Sequence, residues 1–172
     1  MYCQDKKEVR TITEKKDATD IMRLAIKRAR ETMNEDLGGP FGAAVVDEEG
    51  EILAVASNTV LGDNDPTAHA EINAIREAAR KKGSYDLSGC TLYTTAHPCP
   101  MCLGAIIWAN IKRILYGCRP EDADGIGFRD DFIYDFIKGD MADKEILEIA
   151  EDERDECLKL FAEYKKMNKV IY

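Results

Sequence analysis

His69-Ala70-Glu71 opens one helical stretch of the chain, and Pro98-Cys99-Pro100-Met101-Cys102 opens the next. An imidazole and two thiols form a borderline-to-soft donor set that suits zinc. A fold that uses them together must bring the starts of two helices to one edge of a sheet. There, the positive ends of both helix dipoles favour the thiolate forms of Cys99 and Cys102. Three protein ligands leave one coordination position for water, which is a catalytic rather than a structural arrangement. A closed structural site would need a fourth ligand, for which His97 or Cys118 are the available residues. Glu71 follows His69 by two positions, and helical geometry points such a pair in different directions. It is therefore better placed to move protons than to share the metal.

The rest of the sequence organises around these fragments. From Thr19 the pattern is helical, with Ile21, Leu24, Ala25, Arg28 and Thr32 at spacings of three and four, until Leu37-Gly38-Gly39-Pro40 stops it. Phe41–Asp47 and Glu51–Ser57 are apolar, β-branched runs around Glu48-Glu49-Gly50 and read as a hairpin. Asn58–Pro66 is a polar loop, a helix follows from about Thr67 to Lys82, and Gly83 closes it. Cys90–Thr95 and Lys112–Gly117 read as further strands, with the helix opened by His97-Pro98 between them and running to about Asn110. Glu145–Ile149 offers a fifth strand and Glu153–Lys166 a last helix. This order predicts a three-layer α/β/α domain on one mixed, five-stranded sheet. One domain over residues 1–172 is expected, with 1–16 as a loose arm.

Composition narrows the partners. Lys and Arg number 24 against 33 Asp and Glu, a net charge of −9. That balance disfavours a grip on nucleic acid, which relies on clustered cations. The first ten residues contain no apolar stretch typical of a secretion signal, and the longest apolar run, Met101–Ala109, is too short to cross a bilayer. A cytoplasmic address is expected, and in a reducing compartment the six cysteines read as packing residues or metal ligands rather than disulfides.

The two fragments match the H-x-E…P-C-x-x-C signature of zinc-dependent nucleobase deaminases. The chain resembles the cytidine deaminase-like superfamily, and within it the bacterial-type guanine deaminases. The resemblance is carried by PFGAAVV (40–46), Asn58, NDPTAHAEINAIREA (64–78), PCPMCLGAIIWA (98–109) and IGFRDDFIYDFI (126–137). It implies Zn²⁺ on His69, Cys99 and Cys102, with Glu71 as general acid and base. It implies substrate contacts from Asn58, Ala70 and Asp130, a pocket walled by Phe41 and Trp108, and a terminal Tyr172 near the substrate. It further implies a homodimer in which residues 140–172 cross to the partner subunit. His97 stands where many members carry glutamate. It reads either as a loop residue packed beside the site or as an auxiliary acid–base group.

Several plainer roles compete. Trp108 could be ordinary core packing, and Asp130 a cap for the helix at Asp131–Ile137. Phe128 and Phe132 read as core anchors, and Cys3, Cys90, Cys118 and Cys157 as bystanders. The expected reaction is hydrolysis of guanine to xanthine and ammonia. Guanosine or cytosine deamination is the nearest alternative, and tRNA adenosine deamination is weakened by the charge. A zinc-stabilised interaction module without activity would have no use for Glu71.

Overall fold

A computed structural model describes residues 18–171; the expected arm at 1–16 and Tyr172 fall outside that range. Helix α1 (Ala18–Asn34) buries Ile21, Ala25, Ala29 and Thr32, a stripe at helical spacing, against the sheet. Strand β1 (Gly42–Val46) is buried along its whole length. Ala43 and Val45 enter one hydrophobic cluster, while Ala44 and Val46 enter the other with Ile21 of α1. A strand covered on both faces has no polar side to show, which is why GAAVV reads as an unbroken apolar run. Gly42 allows the tight layering: a Cβ there would lie 2.1 Å from the Ala25 carbonyl oxygen.

Strand β2 (Ile52–Ser57) pairs antiparallel with β1. After it come a short helix α2 (Val60–Asp63), helix α3 (Ala70–Lys82), strand β3 (Thr91–Ala96), helix α4 (Pro100–Trp108) and strand β4 (Arg113–Cys118). The sheet order is β2-β1-β3-β4, with β1 and β3 antiparallel and β3 and β4 parallel. Joining parallel neighbours needs a crossover, and α4 supplies it. On the face opposite α1, α3 lays Ala70, Ala74 and Ala78 on the sheet beside Ile106 of α4. The expected α/β/α layering on a mixed sheet is therefore present.

Among the described residues the sheet has four strands, not five. Residues 145–149 form turn and irregular chain instead. Asp143 accounts for this. Its carboxylate accepts the Glu145 amide at 3.0 Å, and its carbonyl accepts the amides of Ile146 and Leu147, each at 3.2 Å. Those local bonds consume donors that a ladder would need. A short helix α5 (Pro120–Asp124), which the sequence pattern did not mark, follows β4.

The chain divides into two compact units, 1–130 and 131–172. The second contains α6 (Asp131–Lys138), which buries Phe136, and α7 (Arg154–Lys166), in which no residue is buried. Phe128 in the first unit and Phe132 in the second are each 47% exposed, so neither is the core anchor expected of it.

Candidate active site

The chain leaves β3 at Ala96 and enters α4 after three residues, so Pro98-Cys99 sits at the carboxyl end of a central strand. Cys99 is the N-cap of α4, and His69 is the N-cap of α3. Both helices thus begin slightly later than the sequence suggests. As capping residues, His69 and Cys99 have extended rather than helical backbone (φ −70°, ψ 156° and φ −68°, ψ 169°). Their side chains are freed from the helical faces and can turn inward together with Cys102, one turn into α4.

His69 Nδ1 lies 3.6 Å from Cys99 Sγ and 3.6 Å from Cys102 Sγ. The three donor atoms form a cluster within 4.8 Å of one another. With Zn–S near 2.3 Å and Zn–N near 2.0–2.1 Å, a tetrahedral ion would hold N and S about 3.6 Å apart. Donor chemistry and spacing therefore both fit zinc. Among the described residues neither His97 nor Cys118 joins the cluster, so the ligand set is open rather than closed.

The thiols are electrostatically unequal. A hydrogen bond from Cys102 holds the Cys99 thiol well below its ordinary value, with His69 adding to the effect. The same bond, together with burial, pushes the Cys102 thiol up. His69 is raised, chiefly by its hydrogen bond with Cys99. Protons on this cluster compete directly with a cation, so metal binding must release them.

Glu71 stands in the first turn of α3 and is 6% exposed. Its Oε2 lies 3.5 Å from Cys102 Sγ, and its Oε1 accepts a hydrogen bond from Thr94 Oγ1 at 3.0 Å. Burial raises its carboxyl above the ordinary carboxylate value, partly offset by its hydrogen bonds. It borders the ligand cluster without belonging to it, which is the placement expected of a proton-transfer group.

Asn58, buried at the end of β2, is held in one orientation. Its Oδ1 accepts the backbone amides of Gly39 at 3.1 Å and Val60 at 3.3 Å, and its backbone N–H donates to Phe41 O at 2.9 Å. With Oδ1 engaged, the carboxamide offers its NH₂ group, a donor for a ligand's carbonyl or ring nitrogen. Phe41 packs against the core and meets Phe128 edge-to-face at 4.9 Å.

Other expected residues fall elsewhere. Ala70 is fully buried with its methyl in the core, which leaves only its backbone for a ligand. Trp108 ends α4 and is 75% exposed. Six residues beyond Cys102, it lies about 9 Å further along the helix axis. It therefore neither packs in the core nor stands beside the ligands of its own chain. Asp130 is half-buried immediately before α6. The His97 ring meets Tyr116 edge-on at 5.0 Å, and its Nδ1 is buried without a hydrogen-bond partner among the described residues.

Three contributors escaped the sequence reading. Thr94 holds Glu71, and its alternation with Leu92 on the α3 side of β3 was the available signal. Gly38 backs Asn58, because a Cβ there would lie 2.1 Å from the Asn58 carbonyl oxygen. Asn73 ties the end of β2 to the segment before α3: its Nδ2 donates to Ser57 O (3.0 Å), Thr59 Oγ1 (2.9 Å) and Ala68 O (3.4 Å). Replacing Asn73 with alanine leaves those acceptors short of a donor. Urea denaturation should show a stability loss of about 1–3 kcal/mol.

An open His-Cys-Cys cluster beside a buried carboxylate, mounted on two helix starts above a mixed sheet, defines a metal-dependent hydrolase of the deaminase type. Residues 15–118 match the cytidine and deoxycytidylate deaminase zinc-binding region, and the chain belongs to that family. It is 50% identical over 113 residues to guanine deaminase of Bacillus subtilis (strain 168), covering 66% of this chain and 72% of that one. The X-ray structure of guanine deaminase from Bacillus subtilis superposes with a TM-score of 0.84 at 41% identity, over 91% of this chain and 99% of the other. The tRNA-specific adenosine deaminase of Buchnera aphidicola subsp. Schizaphis graminum (strain Sg) is 37% identical over 145 residues, 84% of this chain and 91% of its own. No helix among the described residues is long and apolar enough to cross a membrane.

Proposed function

We propose that the protein deaminates guanine to xanthine, with Zn²⁺ held by His69, Cys99 and Cys102. The observation that carries this reading is the buried Glu71 carboxylate, 3.5 Å from a thiol of the open three-residue cluster. The extended likeness to a guanine deaminase supports the choice of base. Zinc at this position would bring the pKa of a coordinated water down toward neutrality. Glu71 takes one proton from the attacking water and delivers it to the ring nitrogen beside the amino-bearing carbon. After addition it takes the second proton from the new hydroxyl and hands it to the departing amino nitrogen. Guanine and water thus become xanthine and ammonia. A carboxyl that works in both directions benefits from the upward shift that burial gives it.

Asn58 orients the base through its NH₂ group, Phe41 stacks on it, and Asp130 binds the guanine edge. The active form is a homodimer in a reducing, cytoplasmic setting, with the C-terminal segment from residue 140 reaching the partner subunit. Support for association comes from the apolar surface on each unit, including Ile107 and Trp108 on α4 and Leu160 and Phe161 on α7.

The deciding experiment is ammonia release from guanine, guanosine, cytosine, cytidine and a tRNA anticodon stem-loop. Turnover of guanine is expected; an inert guanine beside another active substrate would overturn the choice of base and keep the reaction class. The Asn58 assignment has its own check. Gly38→Ala forces a methyl group against the Asn58 carbonyl, and steady-state kinetics should show KM for guanine rising roughly tenfold with a smaller change in kcat.

A further inference from the structure

We propose that Thr94 is a positioning residue for Glu71, its hydroxyl fixing the plane of the carboxylate so that Oε2 faces the ligand cluster. This rests on the reading of Glu71 as the proton-transfer group. The terminal torsion of a glutamate is broad and roughly two-fold, so burial alone does not select its orientation. Here the two oxygens have different neighbours: Oε1 receives the Thr94 hydroxyl at 3.0 Å, and Oε2 lies 3.5 Å from Cys102 Sγ. A half-turn of the carboxylate only exchanges its equivalent oxygens, but any intermediate rotation forfeits the first contact and turns the other oxygen away from the cluster.

Thr94 is well suited to hold that bond. It lies in β3, which is paired on both sides, with Ala43 opposite on β1 and Tyr116 opposite on β4. Its side chain is fully buried, and its one side-chain hydrogen bond among the described residues is to Glu71. A hydroxyl in such surroundings is costly unless it is used. The strand does not require it, since valine has the same β-branched shape and favours strands at least as well. The sheet therefore supplies a rigid donor, and the helix that carries Glu71 is registered against it.

The test compares Thr94→Val with Thr94→Ser in the zinc-loaded protein. Zinc content and affinity, measured by chelator competition, should stay at the wild-type level in both variants. For the valine variant, kcat on guanine should fall about 10–100-fold, the usual range for a group that orients a reacting residue, while KM stays within about threefold. Serine restores the hydroxyl and should bring kcat back to within about threefold of wild type. A denaturation cycle provides a readout independent of turnover. Thr94→Val should shift the unfolding constant about tenfold or more when Glu71 is present, and less than about threefold in the Glu71→Ala background. Undiminished kcat in the valine variant, serine as impaired as valine, or equal shifts in both backgrounds would each overturn the proposal. A wild-type protein inert on every substrate of the panel would instead defeat the deaminase reading. The denaturation cycle would then decide by itself whether Thr94 holds Glu71.

Discussion

Glu71→Ala should retain about one zinc per chain and lose ammonia release from guanine by about 10²–10⁴-fold, the range spanned by positioned acid–base groups. Both halves of that outcome follow from one arrangement. The carboxylate stands outside the ligand cluster, so its removal leaves His69, Cys99 and Cys102 intact. It lies beside the cluster, 3.5 Å from Cys102 Sγ, so its removal takes away the group that can carry protons between water and base. Metal analysis and an ammonia assay on the same preparation give both numbers. Wild-type turnover in this variant would eliminate Glu71 as the shuttle, and loss of zinc would make it a ligand.

Cys102→Ala should have the opposite signature: zinc is lost, and with it turnover. Structural zinc sites bind with about 10–16 kcal/mol, so one ligand of three accounts for roughly 3–5 kcal/mol, or two to four decades in Kd. Because Cys102 is fully buried at the start of α4, the substitution also leaves a small void, and the variant should unfold at lower temperature than the zinc-loaded parent. Acid should mimic the substitution. The ligating forms are deprotonated thiols and a neutral imidazole, and Cys102 and His69 both hold their protons more tightly than usual. Zinc affinity should therefore rise with pH and fall steadily on acidification, which chelator competition across a pH series will show. An affinity independent of pH would exclude this donor set.

The metal site was largely legible in the sequence because its chemistry is local. His69 and Glu71 are two residues apart, Cys99 and Cys102 three, and each pair is marked by a helix start. The central strands were legible for a similar reason: β1 is a short apolar run that only a doubly covered strand needs, and β3 is a β-branched and aromatic run set off by Gly89 and Pro98. Thr94 and Asn73 were not legible. Their partners lie far off in sequence, Thr94 standing 23 positions from Glu71 and Asn73 16 positions from Ser57. The segment 145–149 misled because its short apolar run of Ile146, Leu147 and Ile149 resembles a strand, while Asp143 captures the amides of Ile146 and Leu147 first. Trp108 misled differently. An apolar helix reads as buried on every side, and nothing in its composition says which face the rest of the chain leaves uncovered.

The residues to which the chemistry is assigned and those proposed to face the base come from different parts of the molecule. His69, Glu71, Cys99 and Cys102 are anchored by helix starts over the alanine-lined core. Asn58, Phe41 and Gly38 belong to the connections flanking β1 and β2. Descendants of one ancestor can therefore diverge in diet while inheriting the same reaction unchanged. On the proposed reading, alterations in the connections would retune which amino-bearing heterocycle is admitted and leave the hydrolytic apparatus beneath as it is. That one similar protein is a guanine deaminase and another a tRNA-specific adenosine deaminase is the pattern such a division of labour produces.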